Sequence, residues 1–214
     1  DKCDFCGRCA DFCMYNALAV TRDNIMIFPE LCHSCGGCKL VCPKDAINYE
    51  SRTIGSIEYG RDRDIDFYRG IANVGEVRTI PIIRELKNRI QKEKITILDA
   101  PPGAGCSVIE TIEESDFCIL VTEPTPFGLY DLRIAVDVVR RLKIPFGVVI
   151  NKYGIGDRKL EIYCSKEDIP ILMKIPFDRK IASLYSSGIP FVERMSEWKN
   201  RFREMFGMIE EKLK

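Results

Sequence analysis

The sequence predicts an α/β protein in two parts: a small α+β lobe over residues 1–50, then a partial, doubly wound parallel sheet. Three observations predict it. Eight of the eleven cysteines fall in two copies of one spacing before Pro43. Beyond Tyr49, short continuous apolar runs alternate with longer amphipathic ones, the pattern of parallel strands covered by helices on both faces. Acids, prolines and glycines follow those apolar runs, where the loops of such a sheet gather ligands.

The cysteine lobe comes first. CDFCGRCADFC from Cys3 and CHSCGGCKLVC from Cys32 both read C-x2-C-x2-C-x3-C, offset by 29 residues. They share a glycine after the second cysteine (Gly7, Gly36) and an alanine four residues past the fourth (Ala17, Ala46). A tight loop with its glycine lets three thiolates converge on one cluster while backbone N–H groups turn toward the sulfurs. The fourth cysteine, on a following helical turn, serves the other cluster. The spacing therefore assigns Cys3, Cys6, Cys9 and Cys42 to one 4Fe-4S cluster, and Cys32, Cys35, Cys38 and Cys13 to a second. Zinc is the competing reading, but a four-thiolate zinc site is built from two separated C-x2-C pairs and has no use for triplets. The lobe resembles a bacterial-type two-cluster ferredoxin, which implies ββ and short helices about a pseudo-twofold. Pro43 matches that pattern; Met14 stands in its place in the first copy.

Residues 1–50 carry five basic and seven acidic side chains, and each oxidised cluster with its four thiolates would add about two negative charges. A redox or cluster-accepting partner is expected to present a basic face. His33 lies between two ligands and is expected to be an exposed loop residue; as the one histidine in the chain it rules out a multi-histidine metal site.

The larger half follows in order. TIGSIEYG and DIDFYRGIANVG, within a connecting region at 51–78, alternate as a hairpin or connecting strands. PIIRELKNRIQKE reads as an amphipathic helix, ITILD as a buried strand, CSVIETIEES as a short helix and FCILVTE as a second buried strand. GLYDLRIAVDVVRRLK with FGVVIN repeats the helix and strand, and DRKLEIYCSKED with ILMKIPFD repeats them again. The last helix, from about Glu193, puts Met195, Trp198, Phe202, Met205, Ile209 and Leu213 on one stripe. Near-balanced charge on its other face favours packing on the sheet over a lipid surface.

The strand-end loops carry the chemistry. Asp99 ends a buried run, and an acid there is costly without a cation; Mg2+ with its waters is the usual partner next to phosphates. Gly103 leaves room for its backbone N–H to approach a terminal phosphate. The Asn151 amide can pair with both donor and acceptor edges of a purine. Each residue alone also reads as an ordinary cap or turn. Together DAPPG, VTEPTPFGLYDL, VVINKYG and KIPFD, in that order, resemble the MinD/Mrp-like (deviant Walker, ParA-type) P-loop ATPases, closest to members with an inserted two-cluster ferredoxin domain.

That resemblance implies a C-terminal part of a P-loop ATPase domain at 79–214. It makes Asp99 the switch II acid on a Mg2+-bound water and Gly103 the sensor of the terminal phosphate. Asn151 would recognise adenine, with Pro176 to Asp178 closing over the base. ATP and Mg2+ become the cofactors beside the two clusters, and a homodimer the nucleotide-bound state. The implied function is a nucleotide-dependent switch coupled to electron transfer or cluster handling. The rivals are a ferredoxin-type carrier with a docking α/β domain, and an iron–sulfur assembly scaffold or carrier. Eight internal, cross-ligating thiolates favour permanent redox centres over cargo.

No G-x-x-x-x-G-K followed by Ser or Thr occurs in the sequence, so these residues hold no phosphate cradle. The expectation is the C-terminal part of a longer ATPase, inactive alone, or a separate polypeptide that supplies the missing strand and loop. Cys106 falls seven residues after Asp99, near the offset of a dimer-bridging cluster ligand in the nitrogenase iron protein, but no second cysteine lies between Cys42 and Cys106; a small helix-start residue is favoured. Cys118 reads as core filling, and Cys164 has no assignment. Lys plus Arg and Asp plus Glu are both 32, which gives no argument for nucleic acid or an anionic membrane. No apolar run approaches the roughly 20 residues of a spanning helix, and a cytoplasmic location is expected.

Overall fold

The computed structural model describes residues 2–213. They divide into two compact units, Asp1–Thr96 and Ile97–Lys214.

In the first unit, helix α1 (Arg8–Phe12), strands β1 (Leu18–Val20) and β2 (Ile25–Ile27) and helix α2 (Gly37–Leu40) form the cysteine lobe. The strands pair antiparallel, Leu18 opposite Ile27. A second hairpin follows, β3 (Gly55–Asp62) with β4 (Ile65–Ala72), in register from Gly55 opposite Ala72 to Asp62 opposite Ile65. Helix α3 (Ile80–Lys87) is shorter than its amphipathic pattern predicts, with Asn88 as C-cap. Its Ile82 and Leu86 reach the hairpin at Gly70. Asp66 of β4 fixes the far end: it accepts from the Tyr59 hydroxyl at 2.9 Å and meets Lys94 Nζ at 2.6 Å.

The second unit holds α4 (Cys106–Ile112), β5 (Cys118–Thr122), α5 (Pro126–Leu142), β6 (Phe146–Tyr153), α6 (Lys159–Lys166), β7 (Ile171–Pro176), α7 (Arg179–Ser186), α8 (Phe191–Arg194) and α9 (Glu197–Lys212). Its strands are parallel in the order β5-β6-β7. β6 is central, and its side chains alternate between two cores because successive residues of a strand face opposite ways. Val148 and Ile150 pack with Leu132 and Val136 of α5 and Leu160 and Cys164 of α6. Val149 packs with Met173 of β7 and Met195, Trp198 and Ile209 of the C-terminal segment. Helices thus cover both faces, as the apolar runs predict. The final stripe packs on the sheet, except that the helix breaks at Met195 (φ −127°, ψ 86°) and Leu213 remains 47% exposed. Among the described residues, no helix is long and apolar enough to cross a membrane.

One expected strand does not form. Residues 95–99, ITILD, have no ladder partner among the described residues, and Ile95 and Ile97 stay 75% and 90% exposed. A strand exists only where a neighbour takes its N–H and C=O groups; an apolar run supplies the side chains but not the partner.

Two consequences can be measured. Trp198, 3% exposed and edge-on to Phe191, anchors one core; Trp198→Ala is expected to cost about 3–5 kcal/mol, read by denaturant unfolding followed by far-UV circular dichroism. Glu161 of α6 is hydrogen-bonded to Lys174 of β7, and this ammonium holds its carboxyl below the usual glutamate range. A depressed pKa stabilises the fold above the unfolded glutamate value and loses that share as pH falls through the folded one. Glu161→Gln is therefore expected to flatten the acid limb of stability against pH while lowering stability near neutrality.

Candidate functional site

The two cysteine loops repeat in backbone as well as sequence. Gly7 and Gly36 cap α1 and α2 with φ of 77° and 82°, the left-handed region where a side chain is disfavoured. Phe5 and Ser34 (φ 56° and 52°) and Asn16 and Asp45 (52° and 45°) pair at the same offset. These turns aim backbone donors at sulfur. Phe5 N–H donates to Cys3 Sγ and Ser34 N–H to Cys32 Sγ, both at 3.4 Å. Ala17 N–H donates to Cys13 Sγ at 3.4 Å and Ala46 N–H to Cys42 Sγ at 3.3 Å. The shared alanines mark those donors.

Cys3, Cys6, Cys9 and Cys42 line one open cavity with Val20, Ile25 and Ile47. Cys42 thus crosses from the second repeat to the loop of the first. Burial pushes the Cys9 thiol up, with the Cys3 and Cys38 sulfurs adding. Among the described residues, no three His, Cys, Asp or Glu side chains close to the spacing of a single ion; these four ring a space instead. N–H donors on sulfur, a largely apolar wall and four thiols around a cavity fit a 4Fe-4S cluster. All eight cysteines are free of disulfides, ready for ligation.

Sequence reasoning missed what braces the second loop. The Tyr49 hydroxyl donates to Gly36 O at 2.8 Å, and desolvation, then the Cys38 sulfur, hold it above the usual tyrosine range. His33 is exposed as expected, but stacks on Tyr15 with ring centroids 3.8 Å apart. Arg78 hydrogen-bonds the Ser34 hydroxyl. No spacing marks Tyr49 or Arg78; each is an ordinary residue brought in by the chain's return. Gly37 does follow a rule of space: a Cβ there would stand 2.0 Å from the Phe12 ring.

In the second unit the strand-end loops after β5, β6 and β7 gather. Lys152 Nζ meets Glu123 Oε1 at 2.8 Å, and Phe177 N–H donates to Tyr153 O at 3.0 Å. Asn151 lies inside β6, since that strand runs on to Tyr153, and Pro176 ends β7. Asp178 caps α7, its carboxylate accepting from Lys180 N–H at 2.7 Å. Thr125 caps α5 through Gly128 N–H at 3.0 Å. Asp99 is exposed on the unpaired segment, and Gly103 has φ 100° with open space where a Cβ would stand. Cys106 is exposed at the first turn of α4, Cys118 is partly buried, and Cys164 is fully buried, which raises its thiol pKa.

A parallel α/β unit and a duplicated thiolate lobe define the class: an α/β protein with a ferredoxin-type iron–sulfur domain. The 4Fe-4S binding domain family matches residues 25–48. The uncharacterized protein MJ0579 of Methanocaldococcus jannaschii is 31% identical over 199 residues, covering 92% of this chain and 69% of that protein. An iron-sulfur cluster carrier protein of Pyrococcus horikoshii is 31% identical over 111 residues, 45% of this chain and 38% of that carrier. The crystal structure of the Pyrococcus furiosus cell division ATPase MinD aligns with TM-score 0.47 and 26% identity, over 64% of this chain and 59% of that one. The chain belongs to the MinD/Mrp-like P-loop ATPase family, in the branch with an iron–sulfur domain.

Gly37→Ala is expected to lower iron and acid-labile sulfide per chain after anaerobic reconstitution, because its methyl collides with Phe12. Adding Phe12→Ala should recover much of that loss.

Proposed function

We propose that the protein is a nucleotide-dependent switch whose ATP cycle is coupled to two iron–sulfur redox centres. Residues 1–50 are its ferredoxin-like domain, 51–78 its connecting strands and 79–214 the C-terminal part of its ATPase domain, with switch II and the adenine side. Cys3, Cys6, Cys9 and Cys42 hold one cluster; Cys32, Cys35, Cys38 and Cys13 hold the other. The observation that carries this reading is the twofold set of N–H donors on sulfur, Phe5 and Ala46 for the first set and Ser34 and Ala17 for the second. When bound, each cluster supplies a one-electron couple.

In the nucleotide half, Asp99 orients a Mg2+-bound water and the Gly103 N–H meets the terminal phosphate. Asn151 reads the adenine edge, with Pro176 and Asp178 beside the base. The positive φ of Gly103 and the gathering of the three strand-end loops support this arrangement. Nucleotide binding closes a homodimer and shifts the Asp99–Gly103 segment, and that shift alters the iron–sulfur lobe. The partner is a redox or cluster-accepting protein with a basic face.

A second reading has the clusters as cargo, supported by the likeness to the P. horikoshii carrier. Internal cross-ligation weighs against it, because a cluster shared between two repeats is released only if both loops open.

ATP turnover by the intact protein decides the coupling. Turnover and nucleotide affinity are expected to differ between oxidised and reduced clusters; equal values in both states would sink the proposal. Asp99→Asn is expected to abolish turnover while leaving the visible cluster absorbance intact. Transfer of a whole cluster to an apo-ferredoxin at a rate that ATP controls would favour the cargo reading.

A further inference from the structure

The two cysteine loops are duplicates in backbone but not in charge. At the 29-residue offset, Asp4 and Phe5 of the first loop correspond to His33 and Ser34 of the second. The Asp4 carboxylate accepts from Cys6 N–H at 3.3 Å and is offset only by cations open to solvent: Lys44, 3.8 Å away and half exposed, and the exposed Arg8 that lines the same site. The second loop instead receives the Arg78 guanidinium on the Ser34 hydroxyl.

Arg78 is not a loose surface cation. Its side chain is 18% exposed, its Nε donates to Glu76 Oε1 at 3.0 Å and its backbone N–H to the same oxygen at 2.9 Å. Glu76, with a side chain 1% exposed, also takes Arg52 Nη2 at 2.6 Å. Asn73 Nδ2 donates to Thr53 O at 2.8 Å, which ties this segment to the start of the hairpin. Two guanidiniums against one carboxylate leave one net positive charge locked beside the Cys32–Cys38 loop. Ser34, the residue that Arg78 grips, is also the residue whose N–H points at Cys32 Sγ.

Reduction adds one negative charge to a cluster. A fixed cation nearby favours the reduced state and raises the potential; a fixed anion lowers it. We infer that Arg78 makes the site of Cys32, Cys35, Cys38 and Cys13 the higher-potential one of the pair, so that it is the first to be reduced. A low-potential one-electron donor loses one electron, and that electron comes to rest at this site rather than at the site of Cys3, Cys6, Cys9 and Cys42. Arg78 acts through charge and through Ser34 as a positioning residue. The inference rests on the two-cluster reading.

The test is an anaerobic titration with dithionite, followed by electron paramagnetic resonance, on the reconstituted chain. Iron and sulfide are measured first: a chain that holds one cluster ends the two-cluster reading, and the inference with it. With two clusters, the wild type is expected to reduce in two waves. Arg78→Gln should lower the upper wave and leave the lower one in place, and Arg78→Lys should restore most of the gap. Glu76→Gln removes the compensating carboxylate and should move the upper wave upward. A purely structural clamp predicts that Arg78→Gln and Glu76→Gln act in the same direction, and that result overturns the inference, as does a shift confined to the lower wave or none at all. If Arg78→Gln loses its cluster, the direction of the Glu76→Gln shift decides.

Discussion

The iron–sulfur half depends on one backbone requirement: each thiolate loop must turn its own N–H groups inward. That turn needs residues in the left-handed region, and the loops place Phe5, Gly7, Ser34 and Gly36 there. For the two non-glycine residues the conformation costs on the order of 1–2 kcal/mol each. Hydrogen bonds to sulfur offset that strain, and become stronger once the sulfur is a charged ligand. The short helices follow from the same turn, since Gly7 and Gly36 are also their N-caps. So does the placement of Cys42, which leaves its own loop to line the site of Cys3, Cys6 and Cys9.

The α/β half rests on strand pairing. β6, flanked by β5 and β7, divides the helices between two cores and gathers three loops at one end. Asp178, expected to touch a nucleotide, and Lys152, next to the expected Asn151, have local work as well. Asp178 holds the first turn of α7 and Lys152 is paired with Glu123. A ligand that recruits either must compete with a neighbour already present, so ordering of these loops and binding would be linked.

Legibility in the sequence followed the range of the interaction. The cysteine framework, its glycines and the N–H donors were readable because each is set by neighbours within four residues. Most helices and strands from Cys106 onward were readable because burial imposes a period, although α7 was not among them. ITILD was misread because its apolar pattern names the side chains a strand needs and says nothing of the strand beside it. Tyr49, Glu76 and Arg78 were invisible for a related reason: their contacts with Gly36, Arg52 and Ser34 span 13 or more residues, and no local pattern encodes a contact made by the chain's return. Asn151 was placed at a strand end because hydrophobicity falls off there, while the backbone ladder continues through Tyr153.

Cys164 sits at 0% exposure between α6 and the sheet, and its burial keeps it a neutral thiol. It is therefore silent toward alkylating reagents while the exposed Cys106 at the surface is available. That one sulfur is therefore a clock: the rate at which it becomes labelled counts openings of the α/β unit alone.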